Sequence, residues 1–170
     1  FFELPKEKMD RFTTLYNKDK KGSLNVYDSP SESPFTKNIT LFSGAGGLLS
    51  TAYDYLIFCQ MLLNGGTFNG ERIIKASTIN LMLEDHAEGL KYKKLLFGKK
   101  RGFGLGFDIV KQDNTKFGSK GTYGWGGMFG TYFRIDPKED MIYIYMTQSF
   151  ETYKLKLADK FRELVYDSLL

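Results

Sequence analysis

His86 and Cys59 are the only histidine and the only cysteine in the sequence, and they bound the chemistry it can carry. A hydroxyl or thiol nucleophile working near neutral pH needs a base within hydrogen-bond reach. His86 follows Glu84-Asp85 at the expected end of a helix, where the helix dipole favours a cation, so it reads as structural. Cys59 lies among Leu56, Ile57, Phe58, Met61 and Leu62, the setting of a buried and unreactive thiol. A serine can instead be activated by a lysine three residues on, but no serine here is followed by Lys at that spacing. Lys120-Gly121-Thr122 holds the letters of Lys-Thr-Gly in another order, and Tyr27-Asp28-Ser29 is only a loose Tyr-x-Ser. One histidine and one cysteine do not make a dedicated zinc or haem site, so neither metal nor cofactor is expected. Gly102, Gly104 and Gly106 alternate without forming a dinucleotide fingerprint or a phosphate loop; they read as glycines that keep side chains off a crowded strand face.

The chain that must position any site has 170 residues, 42% of them apolar and 26% charged, enough for one domain with a full core. Fifteen Phe, eleven Tyr and one Trp exclude a disordered composition. A lone cysteine excludes a disulfide scaffold, and no apolar run approaches the ~20 residues of a membrane-spanning helix. The chain opens on Phe1-Phe2-Glu3, with neither a methionine nor a leader pattern, and so reads as a piece of a longer protein. Its net charge of +4 is concentrated in residues 87–101, where Lys91, Lys93, Lys94, Lys99, Lys100 and Arg101 face Glu88 alone. That stretch reads as a solvated loop, or as the contact surface of a non-catalytic binding module. Tyr92 and Phe97 are too few aromatics for a nucleic-acid platform, so no nucleic-acid partner is expected. Asn38-Ile39-Thr40 is a formal glycosylation sequon.

Order along the chain predicts an α+β fold: an antiparallel sheet with a packed C-terminal helix and a small helical region. Residues 1–40 read as a peripheral hairpin and loop, with strands at Phe12–Tyr16 and Ser23–Tyr27 around a polar turn. Residues 41–100 read as the helical part. A glycine-rich entry, Ser43 to Gly47, leads to a helix over 51–63 with Thr51 and Asp54 as a capping box and Asn64-Gly65-Gly66 as its stop. A second helix is expected over 76–85. Residues 101–170 read as sheet and C-terminal helix. Leu105, Phe107 and Ile109 suggest a strand buried on one face. Gly130–Ile135 and Met141–Thr147 suggest a hairpin around the five residues Asp136–Asp140. A continuous helix over 153–169 presents Leu157, Phe161, Leu164, Val165 and Leu169 as one stripe.

One stretch is distinctive: Gly121-Thr122-Tyr123-Gly124-Trp125-Gly126-Gly127-Met128-Phe129-Gly130, followed by Thr131 to Pro137 and then Met141 to Gln148. It resembles the closing motif of the serine β-lactamase-like family, which includes class C β-lactamases, D-alanyl-D-alanine carboxypeptidases and related esterases. There a strand edge carries Lys-Thr-Gly, His-x-Gly or, in the esterase-like branch, Trp-Gly-Gly. Three further segments are similar to that family in the same order: Ser43 to Ala52, Met61 to Ile73, and Gly102 to Phe107.

The resemblance implies a partial β-lactamase/transpeptidase-like fold, the C-terminal portion of a single domain. It implies a serine hydrolase acting on ester or amide bonds, with β-lactams or D-Ala peptides among the candidates. The family's nucleophilic Ser-x-x-Lys and its Tyr match segments preceding Phe1, so this chain would supply the third motif and the oxyanion side, and alone would be inactive. An oxyanion hole needs N–H groups aimed where negative charge develops. By this resemblance Met128 supplies one through its backbone, Gly126 and Gly127 let substrate approach, and Trp125 forms a substrate wall. An indole offers an apolar surface and one N–H but no positive charge, which favours neutral substrates over β-lactams. The partners implied are a small ester or amide and the upstream half, covalent or as a separate chain. A free fragment would expose apolar surface and tend to self-associate. Family members are often periplasmic or membrane-anchored.

Overall fold

A computed structural model describes residues 1–90, 100–113 and 118–169. Most of the lysine-rich stretch, 91–99, lies outside the described residues. The first hairpin forms, but later in the chain than expected: β1 (Leu15–Lys18) begins three residues after Phe12 and takes Asn17 and Lys18 from the expected loop, and it runs antiparallel to β2 (Leu24–Asp28). Short 3-10 turns at Lys6–Arg11 and Pro34–Thr36 flank it.

Helix α1 (Ala52–Leu63) starts where the sequence places it. The Thr51 hydroxyl accepts from the Asp54 N–H at 3.1 Å, satisfying one of the free donors of the first turn. The expected capping box is only half present. The Asp54 carboxylate accepts from the Thr51 hydroxyl instead of reaching back to a backbone N–H. Thr51→Ala should therefore cost about 1 kcal/mol, read as a lower urea midpoint with an unchanged slope. The helix stops at Asn64-Gly65-Gly66, where Gly66 N–H closes back onto Met61 O at 2.9 Å. Gly66 has φ +97, and a Cβ there would strike the Ile74 carbonyl. A two-residue hairpin, β3 (Thr67–Phe68) with β4 (Glu71–Arg72), leads to α2 (Ala76–Met82), which ends three residues before the expected boundary.

The main sheet is a five-stranded antiparallel meander in the order β5-β6-β7-β8-β9. Its strands are β5 (Arg101–Phe103), β6 (Asp108–Val110), β7 (Tyr123–Gly126), β8 (Tyr132–Asp136) and β9 (Met141–Tyr145). The single strand expected through Leu105–Ile109 is instead a hairpin. Gly106 takes φ +92 at the turn, Leu105 points out, and Asp108, Ile109 and Val110 are buried on both faces. The β8–β9 hairpin matches the sequence, with Asp136 paired to Met141, so its loop is the four residues 137–140.

Phe133 and Ile135 of β8 and Ile142 and Ile144 of β9 pack against Cys59, Met61 and Leu62 of α1, together with Ile79 of α2. Burying side chains the size of Met61 and Leu62 contributes about 1.5–3 kcal/mol each. Cys59 is fully buried in this core, and burial pushes its thiol up to about 12. Native protein should therefore resist a thiol reagent at pH 8 and react fully once unfolded; rapid native labelling would contradict this packing.

The opposite face is covered by the C-terminal segment, which differs from the expected uninterrupted helix. Lys156 takes a left-handed conformation (φ +52) and divides it into α3 (Glu151–Lys154) and α4 (Leu157–Asp167). The expected apolar stripe is also incomplete, with Leu164 and Leu169 exposed and Arg162 buried. The reason is the sheet face beneath, which is polar and aromatic. Phe161 meets Tyr143 and Tyr145, and Tyr166 meets Tyr143.

Tyr166 also donates to the Asp136 carboxylate at 2.6 Å. Burial alone would raise the pKa of Asp136, but the Tyr166 hydroxyl and the Ser119 and Glu139 N–H groups hold it below 3.8. A depressed folded-state pKa stabilises the fold above the unfolded value and loses that contribution as pH falls through the folded one. Stability should thus decline as acid protonates Asp136 below about pH 4. Tyr166→Phe should shrink the difference in urea midpoint between pH 6 and pH 2.5.

Candidate active site

Strand β7 reads Tyr123-Gly124-Trp125-Gly126, bulky and bare in alternation. Tyr123 and Trp125 pair with Ile135 and Phe133 of β8 and share their side of the sheet; Gly124 and Gly126 pair with Arg134 and Tyr132. Gly127 continues the ladder, donating to Thr131 O at 2.8 Å. A turn follows, closed by Gly130 N–H on Gly127 O at 3.0 Å, with Met128 and Phe129 at its tip.

β6 reaches β7 only at Tyr123 and Gly124, so the β7 edge at Trp125 and Gly126 has no strand beside it among the described residues. Antiparallel N–H groups alternate between edges. Those of Trp125 and Gly127 face β8, while that of Gly126 faces the open edge. The Met128 N–H follows it at the head of the turn and takes no acceptor among the described residues. Met128 is 66% exposed and Trp125 42% exposed. The Trp125 indole meets Phe103 of β5 edge-on, centroids 4.9 Å apart. Trp125 and Met128 are thus exposed at the two ends of a stretch whose middle, Gly126 and Gly127, is half-buried: an apolar ring, a backbone without side chains, and a Met128 N–H with no acceptor among the described residues.

The glycines around this edge are fixed by their neighbours. A Cβ on Gly102 would sit 2.5 Å from the Asp85 carboxyl carbon, and one on Gly104 would enter the Met82 carbonyl. Both fit the expected crowding, whereas Gly106 has open space and serves its turn. His86 lies in the structural role expected of it, its Nε2 2.7 Å from Leu81 O at the end of α2. Arg101 is not part of a solvated loop. It belongs to β5 and its guanidinium donates to Asp108 at 2.8 Å. No group of His, Cys, Asp and Glu among the described residues could hold a metal ion.

Beneath β7 lies a feature that the sequence reading missed. Asp108 of β6 and Arg134 of β8 form a buried, two-pronged ion pair, with Asp108 1% and Arg134 4% exposed. Both stand opposite Gly124, so the pair crosses the strand between them. The Arg134 Nε donates to Tyr132 Oη at 2.6 Å, and Arg162 of α4 donates to the same oxygen at 3.1 Å. The available signal was the alternation Tyr132-x-Arg134-x-Asp136. Three polar positions share one side of a strand whose sheet must also carry a helix.

A family model described as Beta-lactamase matches residues 1–167. Protein Rv1367c of Mycobacterium tuberculosis (strain ATCC 25618 / H37Rv) is 33% identical over 150 residues, covering 81% of this chain and 36% of that protein. Among solved structures, simvastatin synthase (LovD) from Aspergillus terreus superposes with a TM-score of 0.76 at 19% identity, over 98% of this chain and 46% of that one. EstCE1, a hydrolase with promiscuous acyltransferase activity, superposes with a TM-score of 0.73 at 22% identity, over 97% of this chain and 45% of that one. The chain therefore spans about a third of the length of the curated relative and under half of each structural neighbour. With nearly every residue inside the family match and the mixed helix–sheet architecture shared with both neighbours, the chain belongs to the beta-lactamase family.

Proposed function

We propose that this chain forms the third-motif side of a serine acyl-transfer site acting on neutral esters or amides, with the nucleophile on residues outside these 170. The observation that carries this reading is the end of β7, unpaired by β6: Trp125 as an exposed apolar wall, Gly126 without a side chain, Gly127 bare because a Cβ there would meet the Thr131 hydroxyl, and the Met128 N–H without an acceptor among the described residues. Removing one such donor in an acyl-transfer site costs about 10²–10³ in rate, so a free backbone N–H at a side-chain-poor edge is well suited to a developing oxyanion. The absence of Ser-x-x-Lys from the sequence supports a nucleophile located elsewhere. The likeness to EstCE1, a hydrolase with promiscuous acyltransferase activity, supports acyl transfer as the reaction class.

The test compares the 170-residue chain with a protein extended by the residues encoded upstream, using p-nitrophenyl butyrate and nitrocefin. The extended protein should hydrolyse the ester and act weakly on nitrocefin, and the chain alone should turn over neither. Within the active protein, Trp125→Ala should lower kcat/KM for the ester about tenfold, the loss of roughly 1.4 kcal/mol of transition-state contact. Turnover by the 170 residues alone would place a nucleophile within them and overturn the assignment. An extended protein inert toward both substrates would overturn the reaction class.

A further inference from the structure

We infer that Asp108 and Arg134 are positioning residues for the β7 edge, acting on the reaction through the strand between them. The inference rests on the proposed function for its catalytic meaning, but its geometric content stands in the chain itself. β7 has no side chains of its own at Gly124 and Gly126 on the α4 side. A strand bare on one side has nothing to hold its height above the neighbouring layer. Here that side is filled by side chains from its neighbours. The Asp108–Arg134 pair crosses at Gly124, linking β6 to β8. Tyr132 stands opposite Gly126, and the Arg134 guanidinium lies 4.7 Å from the centre of its ring.

The crossing is anchored at both ends. Asp108 also accepts from Arg101 of β5 at 2.8 Å, and Tyr132 Oη also accepts from Arg162 of α4 at 3.1 Å. Charge-assisted hydrogen bonds thus run from β5 to α4 behind the strand that carries Trp125 and leads to Met128. A two-pronged guanidinium–carboxylate contact fixes angle as well as distance, which a packed apolar pair does not. The strap therefore sets where the Gly126 and Met128 N–H groups point, and it touches no substrate.

The decisive variant replaces both partners with apolar residues, Asp108→Leu with Arg134→Met. Exchanging a buried pair for packed apolar side chains often preserves stability, so this protein should fold. Amide hydrogen exchange is measured in the 170-residue chain. Exchange at Trp125 and Gly127, whose N–H groups face β8, should accelerate at least about tenfold, while α1 amides around Cys59 keep their wild-type rates. Arg134→Lys, which keeps the charge but not the fork, should fall between. In the extended protein the double variant should lose about tenfold in kcat with KM near wild type. Wild-type exchange at Trp125 and Gly127 in the double variant would overturn the inference. So would equal acceleration in α1, which would mark a general loss of stability. Ester turnover in the extended wild type is read separately: its absence removes the proposed function and leaves the exchange result to decide the strap.

Discussion

Gly124→Ala should lower stability by about 3 kcal/mol, the upper range for forcing an extra carbon into a packed interior. The added Cβ would meet backbone, the Phe133 carbonyl and the Arg134 Cα, which cannot rotate away as a side chain can. Relief would require β7 and β8 to part where they carry the sheet. Against the 5–15 kcal/mol that holds typical domains together, this is a large fraction. Urea denaturation should show the midpoint falling at constant slope. A midpoint unchanged within error would mean that the strands can separate locally without cost, and that β7 is held less tightly than its register implies.

Arg134→Met alone should be at least as damaging, at about 3–5 kcal/mol. It leaves the Asp108 carboxylate 1% exposed with the half-buried Arg101 as its remaining cation among the described residues, so most of the loss is the penalty of an inadequately compensated buried charge. Asp108→Leu on the Arg134→Met background should recover most of that stability. The cycle of two singles and one double then yields a coupling energy of several kcal/mol. Additive singles would mean that the two charges are solvated independently, contrary to their burial. Stability and edge geometry are separated by this design, because the double variant regains the first and not the second.

Much of this architecture was legible in the residues. The first hairpin, α1 with its Thr51 cap and glycine stop, and the β8–β9 hairpin all follow from local signals that tertiary packing did not override. The Trp125–Met128 edge was legible only through resemblance, since a glycine-rich strand with one Trp has no chemical signature of its own. Among the expectations that failed, two show the physics most clearly. Alternation of Leu105, Phe107 and Ile109 mimicked a strand, yet Gly106 at φ +92 folds the segment into a turn. The C-terminal stripe assumed an apolar sheet face, but Tyr132, Arg134, Tyr143 and Asp136 make that face polar, so Arg162 turns inward and Leu164 outward. Binary patterning reads each element separately and does not register that a polar helix position and a polar strand position can satisfy one another.

The alternation within β7 has an evolutionary consequence. Its two sides answer to different demands: one carries the exposed Trp125 indole, the other rests on the charged layer behind. An exchange at Trp125 would alter the exposed ring and leave the backing untouched, because no atom of that backing belongs to the same residue. Under the proposed function the strand varies its specificity by single substitutions at one position, while drift at Gly124 is closed off by the Phe133 carbonyl. Diversity of substrate among descendants of such a strand should accumulate at the indole position, and invariance should accumulate one residue earlier.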